Sequence, residues 1–185
     1  MKLIIIGIQG SGKSTQGNLL SKKLKIPYLS TGHILRHLSH EKTPLGRYIK
    51  EIINSGELVP DRRILPVVED YLAQEKYKDA FILDGFPRTP KQAEEFSHKI
   101  DAVIYLEVSD KEALWRLSYR EDDDGREDDT IIALRKRIEL FHKVTTPVLD
   151  YYRDKRKLIT IDGEQEIEKI HKDILARLRK RDIIK

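Results

Sequence analysis

The chain has 185 residues, of which 39% are apolar and 36% charged, with a formal net charge of +4. That is enough to bury a sizeable core in one domain, and too apolar for a disordered chain. It contains no cysteine, which excludes disulfides, thiol nucleophiles and cysteine-ligated zinc; no zinc is expected.

The N-terminus "MKLIIIG" has the look of a signal peptide, but its apolar stretch is short and runs into a glycine loop. No apolar run approaches the roughly 20 residues that span a bilayer, so the chain reads as cytoplasmic. Its basic residues are interleaved with acids and form no run of five, which argues against a nucleic-acid partner.

In chain order, "KLIIIGI" (2–8) is the first predicted strand. "GIQGSGKST" follows it and opens a helix, so Gly7, Gly12, Lys13 and Ser14 fit G-x-x-x-x-G-K-[ST] in the right context. Glycines let backbone N–H groups approach phosphate oxygens, and the helix adds the positive end of its dipole. Gly10, Ser11, Gly12, Lys13, Ser14 and Thr15 are therefore assigned to a nucleoside triphosphate, with Lys13 on the β/γ-phosphates and Ser14 able to hold Mg²⁺. The loop alone leaves hydrolysis, transfer and mere binding open.

"PYLS" (27–30) is a short second strand. His33, His37 and His40 then share a helical face, read as exposed histidines on a surface rather than as a metal site. Leu45, Tyr48, Ile49, Ile52 and Ile53 form the apolar stripe of the next helix, capped by Thr43-Pro44 and stopped by Gly56. "AFILD" (80–84) is a third strand, and Asp84 at its end is placed to hold Mg²⁺ or its waters. "AVIYLEV" (102–108) and "KLITID" (157–162) complete the strands. Two further stripes are predicted, Ile131, Leu134, Ile138, Phe141 and Ile167, Ile170, Ile174, Leu178. The alternation predicts an α/β fold with a parallel sheet and a ligand site beyond its carboxyl edge.

Six motifs in order, "GIQGSGKSTQ", "LSTGHILR", "SGELVPD", "LDGFPRTPKQA", "YREDDDGREDD" with "RKRI", and "TTPVLDYY", resemble the adenylate kinases, a branch of the nucleoside monophosphate kinases. The resemblance covers nearly the whole chain. It implies a P-loop NTPase-type five-stranded parallel sheet flanked by helices, and the Mg²⁺-dependent reaction ATP + AMP ⇌ 2 ADP. It further implies a single domain with a monophosphate-binding lobe at about 30–60 and a short lid at about 120–130, acting as a monomer.

By the same resemblance Lys13, Arg88, Arg120, Arg126 and Arg137 are catalytic, and Arg36 and Arg88 clamp the monophosphate. Arg116, Arg120 and Gly163 belong to the ATP site, with Arg116 stacked on adenine. Thr31, Gly32, Leu35, Ile53, Glu57, Val59, Gly85, Gln92, Arg126 and Arg137 complete the AMP site. Thr31 resembles the AMP-using members, and Gln92 matches the glutamine that reads the adenine edge. A carboxamide can turn over, so Gln92 alone does not reject uracil, and a UMP/CMP or broader monophosphate kinase is the alternative.

"EDDDGREDD" (121–129) holds seven acids. An EF-hand centred on Gly125 fails, because Arg120 and Ile131 would fall at ligand positions. Asp122 and Asp123 are read as solvated, while Asp128 and Asp129 match acids that the family places beside ribose or the arginines. Two residues depart from the pattern: His33 stands where the family has aspartate, and Ser14 where it has glycine. Both bear on the metal geometry and not on the reaction class.

Overall fold

The computed structural model describes residues 1–119 and 130–185. The readings for Arg120, Asp122, Asp123, Gly125, Arg126, Asp128 and Asp129 lie outside the described residues.

The five predicted runs are the strands of one sheet, each one or two residues shorter than expected: β1 Lys2–Ile6, β2 Tyr28–Ser30, β3 Phe81–Asp84, β4 Ala102–Glu107 and β5 Leu158–Asp162. Their order is β2-β3-β1-β4-β5 and every pairing is parallel. Between them lie α1 Lys13–Leu24, α2 Thr31–Ser39, α3 Pro44–Asn54, α4 Asp61–Leu72, α5 Pro90–Glu95, α6 Asp110–Ser118, α7 Ile131–Leu140, α8 Thr146–Asp154 and α9 Ile167–Lys180. Among the described residues no helix is long and apolar enough to cross a membrane.

A parallel sheet needs cover on both faces, which is why its strands are apolar without alternation. Leu3, Ile5, Ile82 and Ile104 pack against Leu20, Ile170, Ile174 and Leu178 on one face. Ile4, Ile6, Leu83 and Val103 pack against Val68, Phe86, Val148 and Tyr152 on the other. The chain leaves β1 toward β2 and leaves β3 toward β4, on opposite sides. A crevice therefore opens between the carboxyl ends of β1 and β3.

α3 is capped as expected: the Thr43 hydroxyl accepts from the Gly46 amide at 2.9 Å, and Gly56 takes a φ of 74° just beyond it. All three predicted stripes need correction at their first residue, and Leu45 in the first turn of α3 is 38% exposed. Ile131 is 69% exposed and Ile167 50% exposed, while the rest of these two stripes is buried. Each of the three lies in the first turn of its helix, and Cα–Cβ bonds lean toward the helix N-terminus, so the first side chain overhangs the packed turn. Phe141 departs in another way. It starts a π-helical turn, Phe141–Thr145, which joins α7 to α8.

Candidate active site

A cleft of about 570 Å³ lies at the carboxyl edge, where P-loop, β3 end, α2, α6, α7 and the π turn meet. Every described residue assigned from sequence lines it except Gly163, whose amide donates to the Glu107 carbonyl at 2.8 Å. A Cβ on Gly163 would lie 2.6 Å from Val108 Cγ2, so this glycine serves close packing beside the cleft.

The phosphate loop takes its shape from two left-handed glycines, Gly10 at φ 89° and Gly12 at φ 87°. A Cβ on Gly10 would also meet the Ala113 carbonyl oxygen at 2.6 Å, which ties the loop to α6. α1 begins at Lys13, so the donors of its first turn, Ser14 and Thr15 among them, face the cleft. Lys13 Nζ donates to the Ile8 carbonyl at 2.8 Å, across the loop's own backbone. Among the described residues the Ser11 hydroxyl is buried without a hydrogen-bond partner.

Asp84 closes β3 and is 4% exposed. Its Oδ2 accepts from the Tyr28 hydroxyl at 2.6 Å and from Ser14 Oγ at 3.5 Å, while Oδ1 is buried without a partner among the described residues. Burial, then the Asp84 charge, push the Tyr28 phenol far above its usual range, so it stays protonated and donates. Gly17 of α1 makes room for that ring: a Cβ there would lie 2.3 Å from Tyr28 Cε2. An orphaned carboxylate oxygen beside a serine hydroxyl is an oxygen donor set suited to Mg²⁺, which keeps most of its waters and takes one or two protein oxygens. No cluster of three or more histidine, aspartate or glutamate side chains gathers among the described residues. His33, His37 and His40 are exposed.

On the acceptor side, the Thr31 hydroxyl opens α2 and donates to the Asp84 carbonyl at 2.9 Å. Gly85, at φ 80°, leaves space beside it, since a Cβ would lie 2.6 Å from Thr31 Oγ1. Arg88 Nε donates to the Gly85 carbonyl at 2.8 Å, and the Thr145 hydroxyl of the π turn donates to the Arg88 carbonyl at 3.0 Å. Removal from water, then the charge of Arg137 and that of Arg36, lower the Arg88 pKa, with Asp84 acting the other way. Arg36, Asp84, Arg88 and Arg137 all line this one cleft. Arg137 reaches from α7 to both sides, donating to Gln9 Oε1 at 2.9 Å and to the Ile53 carbonyl at 2.7 Å.

Val59 is buried, with Leu35 and Ile53 half-buried, and together with Gly32 they form the wall beyond Thr31. Glu57 pairs with Lys136 at 3.5 Å. Arg116 Nε donates to Glu112 Oε1 at 2.7 Å, one helical turn back on α6. Gln92 is buried, with both ends of its carboxamide bonded to protein.

A family model described as adenylate kinase matches residues 5–157. The chain belongs to the adenylate kinase family. "Adenylate kinase 1" of Nostoc sp. (strain PCC 7120) is 41% identical over 184 residues, covering 96% of this chain and 98% of the relative. "Adenylate kinase" of Caldicellulosiruptor bescii is 38% identical over 212 residues, 96% and 99%, and that of Methanocella arvoryzae 36% over 214, 97% and 99%. Alignments longer than this chain mean that the last two relatives carry segments with no counterpart here. Adenylate kinase membership bears out the family resemblance and the fold expected from it.

Sequence reasoning missed Tyr28, Thr145, Gln9 and Asp61. Tyr28 read only as a strand residue, and Thr145 and Asp61 only as members of family motifs. Each acts by holding another site residue, through contacts 31 to 128 positions away in sequence.

Proposed function

We propose that the chain catalyses the reversible transfer ATP + AMP = 2 ADP. The observation that carries this reading is the convergence of Lys13, Arg36, Arg88 and Arg137 on one cleft that also receives the P-loop. In the transfer, the bond from the β,γ-bridging oxygen to the γ-phosphorus of ATP breaks, and an oxygen of the AMP phosphate bonds to that phosphorus. That oxygen is already ionised, so no general base is needed. What is needed is alignment, and neutralisation of two polyanions and the moving phosphoryl group.

On this reading Lys13 and the first-turn amides of α1 hold the ATP phosphates, and Arg116 lies against its adenine. Arg36 and Arg88 clamp the AMP phosphate, where a planar fork suits two oxygens at once. Arg137 bridges donor and acceptor. Arg120 and Arg126 join this set by resemblance. Residues of about 30–60 form the acceptor lobe, with Leu35, Ile53 and Val59 against the base and Thr31 and Gln92 favouring adenine. Ser14 and Asp84 would hold Mg²⁺, Asp84 through water, and the ion would supply neutralisation of the phosphate charge.

Mixing the protein with MgATP and AMP, UMP, CMP or GMP in turn, and following ADP, tests the reading. ADP forms fastest with AMP; faster formation with UMP or CMP would demote Thr31 and Gln92, and none with any acceptor removes the kinase reading. In Asp84→Asn, titration of the rate against Mg²⁺ has its midpoint about tenfold higher, because Tyr28 and Ser14 hold the carboxylate that would bind the ion through water.

A further inference from the structure

Gln92, in α5, is 2% exposed and lines the acceptor side of the cleft. Its Oε1 accepts from the Arg88 backbone amide at 2.7 Å, and its Nε2 donates to Asp61 Oδ1 at 2.7 Å. These partners cannot be exchanged. A backbone N–H has only a proton to give, and a carboxylate has only lone pairs to offer. Turning the carboxamide over would set N–H against N–H and oxygen against a carboxylate. Its orientation is therefore fixed by the protein before any base arrives.

Asp61 is itself held in place. It is the first residue of α4, and the same Oδ1 accepts from the Thr89 hydroxyl at 3.1 Å. Thr89 Oγ1 in turn accepts from the Gln92 amide at 3.1 Å, capping α5. Asp61, Thr89 and Gln92 thus close a ring of bonds between α4 and α5. A carboxamide offers two N–H bonds and two lone pairs. The protein takes one of each, which leaves one of each for a base edge. Asp61 does not line the cleft.

We propose that Asp61 is a positioning residue that sets the base specificity of the acceptor site. The proposal rests on the reading that an adenylate occupies that site. With the carboxamide fixed, an exocyclic amino donor beside a ring-nitrogen acceptor is matched. A base with an exocyclic carbonyl beside a ring N–H meets acceptor with acceptor and donor with donor. Hypoxanthine is the sharpest comparison, because it keeps the shape of adenine and reverses only that pair. A site that hydrogen-bonds a polar edge discriminates strongly against an analogue that leaves its groups unpaired. A carboxamide free to turn over would match either base.

The experiment measures kcat and KM for AMP and for IMP, with MgATP as donor, in the wild type, Asp61→Ala and Asp61→Asn. Asp61→Ala removes the acceptor. It narrows the AMP:IMP ratio of kcat/KM by about tenfold or more, mainly through KM, with kcat for AMP within about threefold. Asp61→Asn retains an oxygen that accepts from Gln92 Nε2, and keeps the ratio within about threefold of wild type. Calorimetric binding of AMP and IMP follows the same order, and melting curves report the folded fraction. Loss of the acidic group at the N-terminus of α4 lowers the melting temperature. A folding defect, however, depresses both substrates equally and leaves the ratio alone. An unchanged ratio in Asp61→Ala, or a ratio narrowed as much in Asp61→Asn, overturns the assignment. A wild type that turns over AMP with an Asp61-insensitive ratio removes the assignment only; a wild type that makes no ADP from AMP removes the functional reading with it.

Discussion

Replacing Arg88 with methionine lowers kcat about 10³-fold or more, while the melting temperature of the free protein stays within about 3 °C of wild type or rises. The two halves of this expectation have one cause. Arg88 stands near Arg137 and Arg36 in a part of the cleft withdrawn from water, and both the withdrawal and the like charges lower its pKa. Asp84 offsets part of this. The folded protein therefore holds a cation where it is not comfortable, a cost that active sites carry and other contacts outweigh. Methionine keeps much of the volume and removes the charge. What it loses is the Nε bond to the Gly85 carbonyl and the remaining guanidinium donors of a residue that lines the cleft. Coupled-assay kinetics and a melting curve on the same preparation check both halves. A kcat within tenfold of wild type would show that Arg88 is not at the transferring group. Arg88→Lys recovers only part of the rate, since a point charge cannot reproduce two parallel bonds to a phosphate.

Lys13→Met lowers kcat/KM for ATP about 10²- to 10³-fold, with little change in the KM for AMP. Lys13 is the first residue of α1 and its ammonium is set over the loop by the 2.8 Å bond to the Ile8 carbonyl. Its charge is thus fixed in the free protein, and charge fixed beforehand stabilises a developing charge without reorganisation. Lys13→Arg does not rescue, because the compact ammonium fits inside a loop drawn tight by Gly10 and Gly12 and a planar guanidinium does not. Initial rates against ATP at saturating AMP decide the point.

Much of this architecture is legible in the residues themselves. A parallel sheet writes itself as uninterrupted apolar runs, and so "LIII", "FILD" and "VIYL" could be placed on strands without any partner in view. The P-loop is legible because its glycines and lysine act within a few positions of one another. The stripes read well except at their ends, where Leu45, Ile131 and Ile167 overhang the packing. The π turn at Phe141–Thr145 left no trace in the periodicity, since one wider turn alters spacing by less than a stripe resolves. Supporting contacts were the least legible. Tyr28 on Asp84, Thr145 on Arg88 and Asp61 on Gln92 join residues 56, 57 and 31 positions apart, and only the folded chain brings them together.

Gly17 sets a trap for anyone who would stabilise this molecule by rule. It lies inside α1, where exchanging glycine for alanine ordinarily adds about 0.5–1 kcal/mol. Here the added methyl would enter the ring of Tyr28, the residue that tethers the carboxylate at the end of β3. Gly17→Ala therefore melts earlier than the parent and needs more Mg²⁺ for half-maximal rate, the reverse of what helix propensity recommends. A thermal scan with a Mg²⁺ titration on that one variant shows whether a bare backbone position in the first helix is what keeps Asp84 aimed.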